Sequence, residues 1–481
     1  MKTTVAVLDK EGNNVVDQVL DVLNSLSGRQ PSHFGLISPK KIILEKSPGI
    51  LSRQGIESST AIGYVSTTPA VSSGYEFLQL DDAALMFEGK IYSPIPKTAV
   101  MEQVAKEPLH CEALLQTLIA NTDGDYSFLI AKDKWIGAGR DPVGVQPLYY
   151  GENKTMAAIA TNRKALWLLG LENPISFPPG NMGFVNPEGF QFKPIKMLSY
   201  TEPLAITLDD AAKKLQALLE ESIKRRTNDV KEVAVAFSGG LDSSIVAFLS
   251  SKLGLKVNLF HVSMENQPET EEAIEASELL NLPLQVDLFK DSDVENTVAQ
   301  VVALIEDADP IKVSVGLPFY WVAEKAAEAR FHVMLAGQGA DELFGGYQRY
   351  VKEYCKDGAE KVRKTMFSDV ANIFESNLER DLKITSSFDV QLRLPFASFE
   401  LDEFAMTLPI ECKMEQKEDT LRKLVLRKVA LNVGLPSALV DKPKKAVQYS
   451  TGINDAIKRV AKTQEKTVNQ YITELFQRSK S

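Results

Sequence analysis

Residues 233–250 read VAVAFSGGLDSSIVAFLS, two hydrophobic runs flanking a pair of glycines, an aspartate and several hydroxyls. Such a stretch predicts a buried strand, a tight turn and the start of a helix. There the free backbone N–H groups and the positive helix end point at one place. Gly239 and Gly240 let the backbone approach an anion, and Ser238, Ser243 and Ser244 add hydroxyl donors. A carboxylate among phosphate donors is costly unless a cation offsets it, so Asp242 reads as a Mg²⁺ ligand. The run Ser238, Gly239, Gly240, Leu241, Asp242, Ser243 and Ser244 is therefore the candidate phosphate cradle, and it lacks the lysine of a Walker-type loop. The competing reading is an ordinary strand–turn–helix corner. A second segment, MLAGQGADELFGGYQRY at 334–350, places Asp341 in a glycine-rich turn after a buried strand, where it could reach the same ion.

The elements that position these groups follow from periodicity. TTVAVLD, AALMFEGKIYS, DYSFLIAKDKWIGAGRD and MAAIAT alternate as strands do, with an occasional helix such as 13–27. Pro and Gly cluster near 170–200, as in a linker or domain edge. The texture then changes. TLDDAAKKLQALLEESIKRR opens on a Thr207/Asp210 capping pair and carries Leu215, Leu218, Leu219 and Ile223 at helical spacing. EVAVAFS, KVNLFHVS, PLQVDLF and FHVMLAG then alternate with helices, including one over 269–281, which predicts a parallel sheet wrapped by helices. Residues 350–481 read as mostly helical. The domains expected are 1–195 and 205–481.

The chain has 481 residues, of which 44% are hydrophobic and 25% charged, as in a globular protein. Lys and Arg number 54 against 64 Asp and Glu, and the net charge of −10 argues against coating nucleic acid or an anionic membrane. There is no bilayer-length apolar run, and MKTTVAVLDKEGNN has charges where a signal peptide needs its apolar core. Cys111, Cys355 and Cys412 lack metal-type spacing and read as reduced thiols. Together these predict a cytoplasmic protein.

SGGLDSS resembles the signature of the ATP pyrophosphatases, which break the bond between the α- and β-phosphates. Three further segments resemble those of asparagine synthetases, in the same order: 334–350; NLERDLKITSSFDVQLRLPFASFELDEFAMTLP at 377–409; and DKPKKAVQYSTGI at 441–453. The resemblance implies ATP and Mg²⁺ as cofactors, with Asp242 and Asp341 sharing the metal that clamps departing pyrophosphate. It implies Lys444 as the catalytic lysine, with Lys445 its rival, neutralising phosphate charge in the transition state. A solvated lysine cluster is the alternative. It also implies adenine contacts from Val262, Ala336 and Gly337. At position 338 the family carries Glu and this chain carries Gln338, placed among the catalytic candidates. Gln391 likewise replaces a family Glu, and Ser398 a further aspartate. Both Gln residues could instead be structural hydrogen-bonders.

The first half resembles a class II glutamine amidotransferase domain through FEGKIYS at 87–93 and GRDPVGVQPLYYG at 139–151. That implies an N-terminal-nucleophile-type α/β/β/α sandwich, followed by a Rossmann-like parallel-sheet ATP-pyrophosphatase domain with a helical C-terminal part. The family's nucleophilic cysteine is Lys2 here, followed by Thr3 and Thr4. Its oxyanion-hole asparagine is Glu88, its substrate-holding glutamate is Lys90, and an aspartate is His110. Four changes at one pocket, two of them charge inversions, predict that glutamine is not hydrolysed. Trimming to expose Thr3 as a nucleophile would not restore the pocket.

The expected activity is ATP-dependent asparagine synthesis from aspartate and ammonia through β-aspartyl-AMP, releasing AMP and pyrophosphate. The alternatives are an amide or lactam synthetase acting on another carboxylate, and a non-catalytic nucleotide-binding protein. The resemblance also implies a homodimer, and an external ammonia source is a further expected partner. The chain looks closest to asparagine-synthetase-domain proteins that lack the N-terminal cysteine.

Overall fold

The computed structural model describes residues 2–27, 33–68, 76–94, 97–107, 111–417, 421–442 and 451–480. It divides into two compact units, Met1–Met197 and Leu198–Ser481.

In the first unit the strand period of two sorts side chains into layers. Along the strand Lys2–Asp9, Val5 and Val7 face a core shared with the helix Val16–Leu26. Ala6 and Leu8 face the opposite way, meeting Ala84 and Met86 of the strand Ala83–Ser93. On that strand Leu85 and Phe87 turn outward to the helices Lys97–Lys106 and Cys111–Asn121. A seven-stranded and a six-stranded sheet thus stack face to face with helices outside, the α/β/β/α sandwich. The Pro- and Gly-rich stretch near 170–200 forms an edge rather than a linker. Asn181–Asn186 and Gly189–Pro194 pair as a hairpin and close one side of the six-stranded sheet. In GRDPVGVQ, Asp141 organises its own turn: Oδ1 accepts from the N–H groups of Val143, Gly144 and Val145, and Oδ2 from Gln146. Buried Arg140 donates to the carbonyls of Phe177 and Gly144.

The second unit is built on a five-stranded parallel sheet. Its order is Leu284–Phe289, Lys256–Met264, Glu232–Ala236, Val333–Leu335, Gln391–Arg393. The central strands Glu232–Ala236 and Val333–Leu335 are nearly continuous apolar runs because helices cover both faces. The fifth strand was not expected: QLR is too short and polar to read as one, yet it pairs in parallel with Val333–Leu335. Thr207 caps the helix Leu208–Thr227, its Oγ1 accepting from the Asp210 N–H, and Leu215, Leu219 and Ile223 pack into the core below. Most important for the site, the chain winds outward one way from Glu232–Ala236 and then returns to its other side at Val333–Leu335. That reversal opens a crevice at the carboxyl ends of these two strands. Among the described residues no helix is long and apolar enough to cross a membrane.

Candidate active site

The crevice is a cavity of about 530 Å³, lined by the segments that follow both strands. From the first come Phe237, Ser238, Asp242 and Ser243; from the other come Ala336, Gly337, Gln338 and Asp341; Val262 and His261 join from the neighbouring strand. The two segments touch. A Cβ on Gly337 would lie 2.9 Å from the Asp242 Cβ and 3.2 Å from the Ser243 nitrogen, so only glycine lets them close. Gly239 holds the turn at φ +69°, against the Ala273 backbone. Gly240 caps the helix Leu241–Lys252 with no side-chain partner at its N-terminus. The Ser243 hydroxyl, 3.3 Å from both the Ser238 N–H and its hydroxyl, knits the turn.

Not every predicted residue reaches the cavity. Leu241 is part of the hydrophobic core, and Ser244 is wholly buried beneath the turn; neither lines the cavity. Their neighbours Gly239 and Gly240 shape the turn rather than the wall. Lys444, Lys445 and His110 lie outside the described residues.

Asp242 and Asp341 converge, and what they converge on was not foreseen. Lys423 Nζ lies 2.7 and 2.6 Å from the two oxygens of Asp242 and 2.6 Å from Asp341 Oδ1. The lysine side chain is only 2% exposed, so it sits as a desolvated counter-ion between two carboxylates. Its backbone, at φ +60°, precedes the helix Leu424–Val433. Gly346 makes room, since a Cβ there would fall 1.8 Å from Asp341 Oδ1 and 2.4 Å from Lys423 Cε. In sequence Lys423 is one cation in the basic run LRKLVLRK, and nothing in its spacing sets it apart. The general signal was present all the same: two carboxylates meeting away from water require a positive charge.

The pair also fits a divalent ion. Among the described residues no group of three or more His, Cys, Asp or Glu gathers as a metal site. Mg²⁺ commonly takes only one or two carboxylates and completes its shell with phosphates and water. Two carboxylates already focused on one cationic point, beside the N-terminus of the helix Leu241–Lys252, suit that arrangement if Lys423 withdraws.

Around this centre the polar groups are tied together. Glu342, next to Asp341 and buried, accepts from the Tyr347 hydroxyl at 2.6 Å and from Asn377 Nδ2 at 2.7 Å. Burial, and then the Asp341 charge, push its pKa up. His261 holds the Phe237 carbonyl through Nδ1 at 3.0 Å, while Nε2 is buried with no partner among the described residues. Burial lowers the pKa of this ring, so it is held neutral. Gln391 accepts from Arg393, which also grips Asp229. Arg427 anchors the chain just before residue 443 by donating to the carbonyls of Val440 and Lys442.

In the first unit, Thr3 and Thr4 pair with Val65 and Tyr64 on one side of their strand, its pairing on the other side starting at Val5, and both are fully buried. The Thr3 hydroxyl accepts from Asn162 Nδ2, and the Thr4 hydroxyl faces buried Glu88 Oε2 at 3.5 Å.

Fold and site together define a parallel α/β domain with a carboxylate-lined cavity at its switch point, preceded in sequence by a two-sheet sandwich. A family model described as asparagine synthase matches residues 214–361 and 354–480, more than half of the chain. The chain belongs to the asparagine synthase family. A Methanocaldococcus jannaschii protein provisionally named a glutamine-hydrolyzing asparagine synthetase is 32% identical over 73% of this chain and 74% of its own. An asparagine synthetase domain-containing protein of Saccharomyces cerevisiae is 24% identical over 76% of this chain and 78% of its own. The glutamine-hydrolyzing asparagine synthetase of Asparagus officinalis is 27% identical over 69% of this chain; the match spans 58% of that relative, little more than half its length.

Proposed function

We propose that the chain is an ATP-dependent amide ligase that activates a carboxylate as its acyl-adenylate, releases pyrophosphate, and transfers the acyl group to ammonia, with aspartate the first substrate to test. The observation that carries this reading is the meeting of Asp242 and Asp341 at one cationic point beside the SGGLDSS turn. Such a centre suits a triphosphate whose β- and γ-phosphates leave together. Asp242 and Asp341 would hold Mg²⁺, which would supply positive charge to offset that on the leaving pyrophosphate. The turn's N–H groups and the hydroxyls of Ser238 and Ser243 would hold the phosphates. Val262, Ala336 and Gly337 would form the adenine side. Lys444 or Lys445 would balance charge on the α-phosphate as the acyl oxygen attacks it.

Ammonia, rather than glutamine, is the proposed nitrogen source. Thr3 is enclosed in the sheet, and Glu88 puts a carboxylate where an oxyanion would need a donor. A second reading, in which the acid is not aspartate, draws on Gln338 standing where the family has glutamate.

Exchange of labelled pyrophosphate into ATP, run with a panel of carboxylic acids, tests the proposal. Aspartate-dependent exchange supports synthesis of asparagine. Exchange with another acid alone moves the substrate, and no exchange with any acid rejects adenylation.

A further inference from the structure

Gln338 is matched to its surroundings in a way that a glutamate could not be. Its Nε2 donates to Asp381 Oδ2 at 2.6 Å. Asp381 is fully buried, and its two oxygens also accept from Nε and Nη2 of Arg380 at 2.7 and 3.1 Å. A carboxylate clasped by a guanidinium is an acceptor on both oxygens, so only the NH₂ end of the Gln338 amide can face it. Burial raises the Asp381 pKa and the Arg380 charge opposes that rise. A glutamate at 338 would bring a second carboxylate against the first, and in that low-dielectric setting one of the two would have to take up a proton. With the NH₂ committed, the amide oxygen is the free tip: it accepts from no described residue, and Gln338 and Arg380 both line the cavity.

We propose that Asp381 is a positioning residue that locks the Gln338 amide with its carbonyl oxygen toward the cavity, where it accepts a hydrogen bond from the attacking ammonia. The inference rests on the ligase reading above. In that step the nitrogen lone pair forms the C–N bond at the acyl carbon. The bond from that carbon to the phosphate oxygen breaks, its electron pair leaves with AMP, and one nitrogen-bound proton passes to the AMP phosphate or to water. An amide oxygen orients N–H bonds but accepts no proton. Gln338 therefore sets the nucleophile's affinity and aim without adding an ionisation of its own to the pH profile.

The test separates the two half-reactions. In Asp381→Asn, Arg380 keeps the one remaining carbonyl oxygen, so the new amide turns its NH₂ toward Gln338 and forces that side chain to flip. Pyrophosphate exchange should stay within about twofold of the unmodified protein, while KM for ammonium rises about tenfold, the scale of one lost hydrogen bond. Melting supplies a readout that needs no turnover. Gln338→Glu should lower Tm by roughly 5 °C through carboxylate repulsion, and adding Asp381→Asn should restore most of it. Exchange and amide formation falling together, an unchanged KM, or strictly additive Tm losses would each overturn the lock. If the unmodified protein exchanges with no acid, the ligase reading and the ammonia contact fall together, and the melting cycle still decides the Gln338–Asp381 pairing.

Discussion

Replacing Lys423 by methionine keeps most of the side chain's volume but strands Asp242 and Asp341 against each other. Breaking such a desolvated cluster should cost about 3 kcal/mol when no divalent ion is present. Mg²⁺ alone should then raise the melting temperature of Lys423→Met more than that of the unmodified protein, because no ammonium competes for the carboxylates. Equal Mg²⁺ shifts in thermal melts would count against a shared cation site. Lys413 offers a second test. It is buried, and loss of solvation, aided by nearby Arg363, pushes its pKa down to about 7. Its folded value lies below the unfolded 10.5, so the stability linked to it is complete above 10.5 and is lost as pH falls through about 7. Lys413→Met should therefore melt above the unmodified protein at pH 6, by roughly 5 °C, with the gap narrowing toward pH 10. A gap that widens with pH would contradict this.

Elements, rather than single side chains, bring the two aspartates together. They lie 99 positions apart in sequence and meet because parallel strands end on one edge of the sheet and the winding reverses between them. Gly337 is the joint. Its missing Cβ is what allows the Gln338 segment to close on the helix that carries Asp242, so Gly337→Ala must push one segment away. Pyrophosphate exchange should fall about 100-fold, as expected for a displacement near 1 Å at reacting groups, while far-UV circular dichroism stays unchanged. Near-normal exchange would mean that the segments need not touch.

Most of this scaffold was legible in the sequence. The Thr207 cap, the glycine turn and four of the five parallel strands follow from local pattern, which buried strands and helix ends express strongly. Two features were not legible, each for a physical reason. Gln391–Arg393 is a strand only because Val333–Leu335 offers it an open edge. Lys423 and Asp381 owe their importance to partners 181 and 43 residues away, a distance no spacing rule spans.

At the scale of the whole chain, the two units carry their family likeness unequally. The second keeps its acidic pair and glycine turn. The first shows its layers and the Asp141 turn, and on the reading proposed above it does not attack glutamine. Purified protein should accordingly release no glutamate from glutamine above background, while ammonium supports product formation; glutaminase activity that rises with protein purity would refute this. The central claim concerns which bond of ATP breaks, and phosphorus NMR of a complete reaction with Mg²⁺, ATP, ammonium and an exchange-competent acid reads that bond directly. The account predicts AMP and pyrophosphate in equal amounts, abolished by Asp242→Asn. ADP and orthophosphate would contradict it.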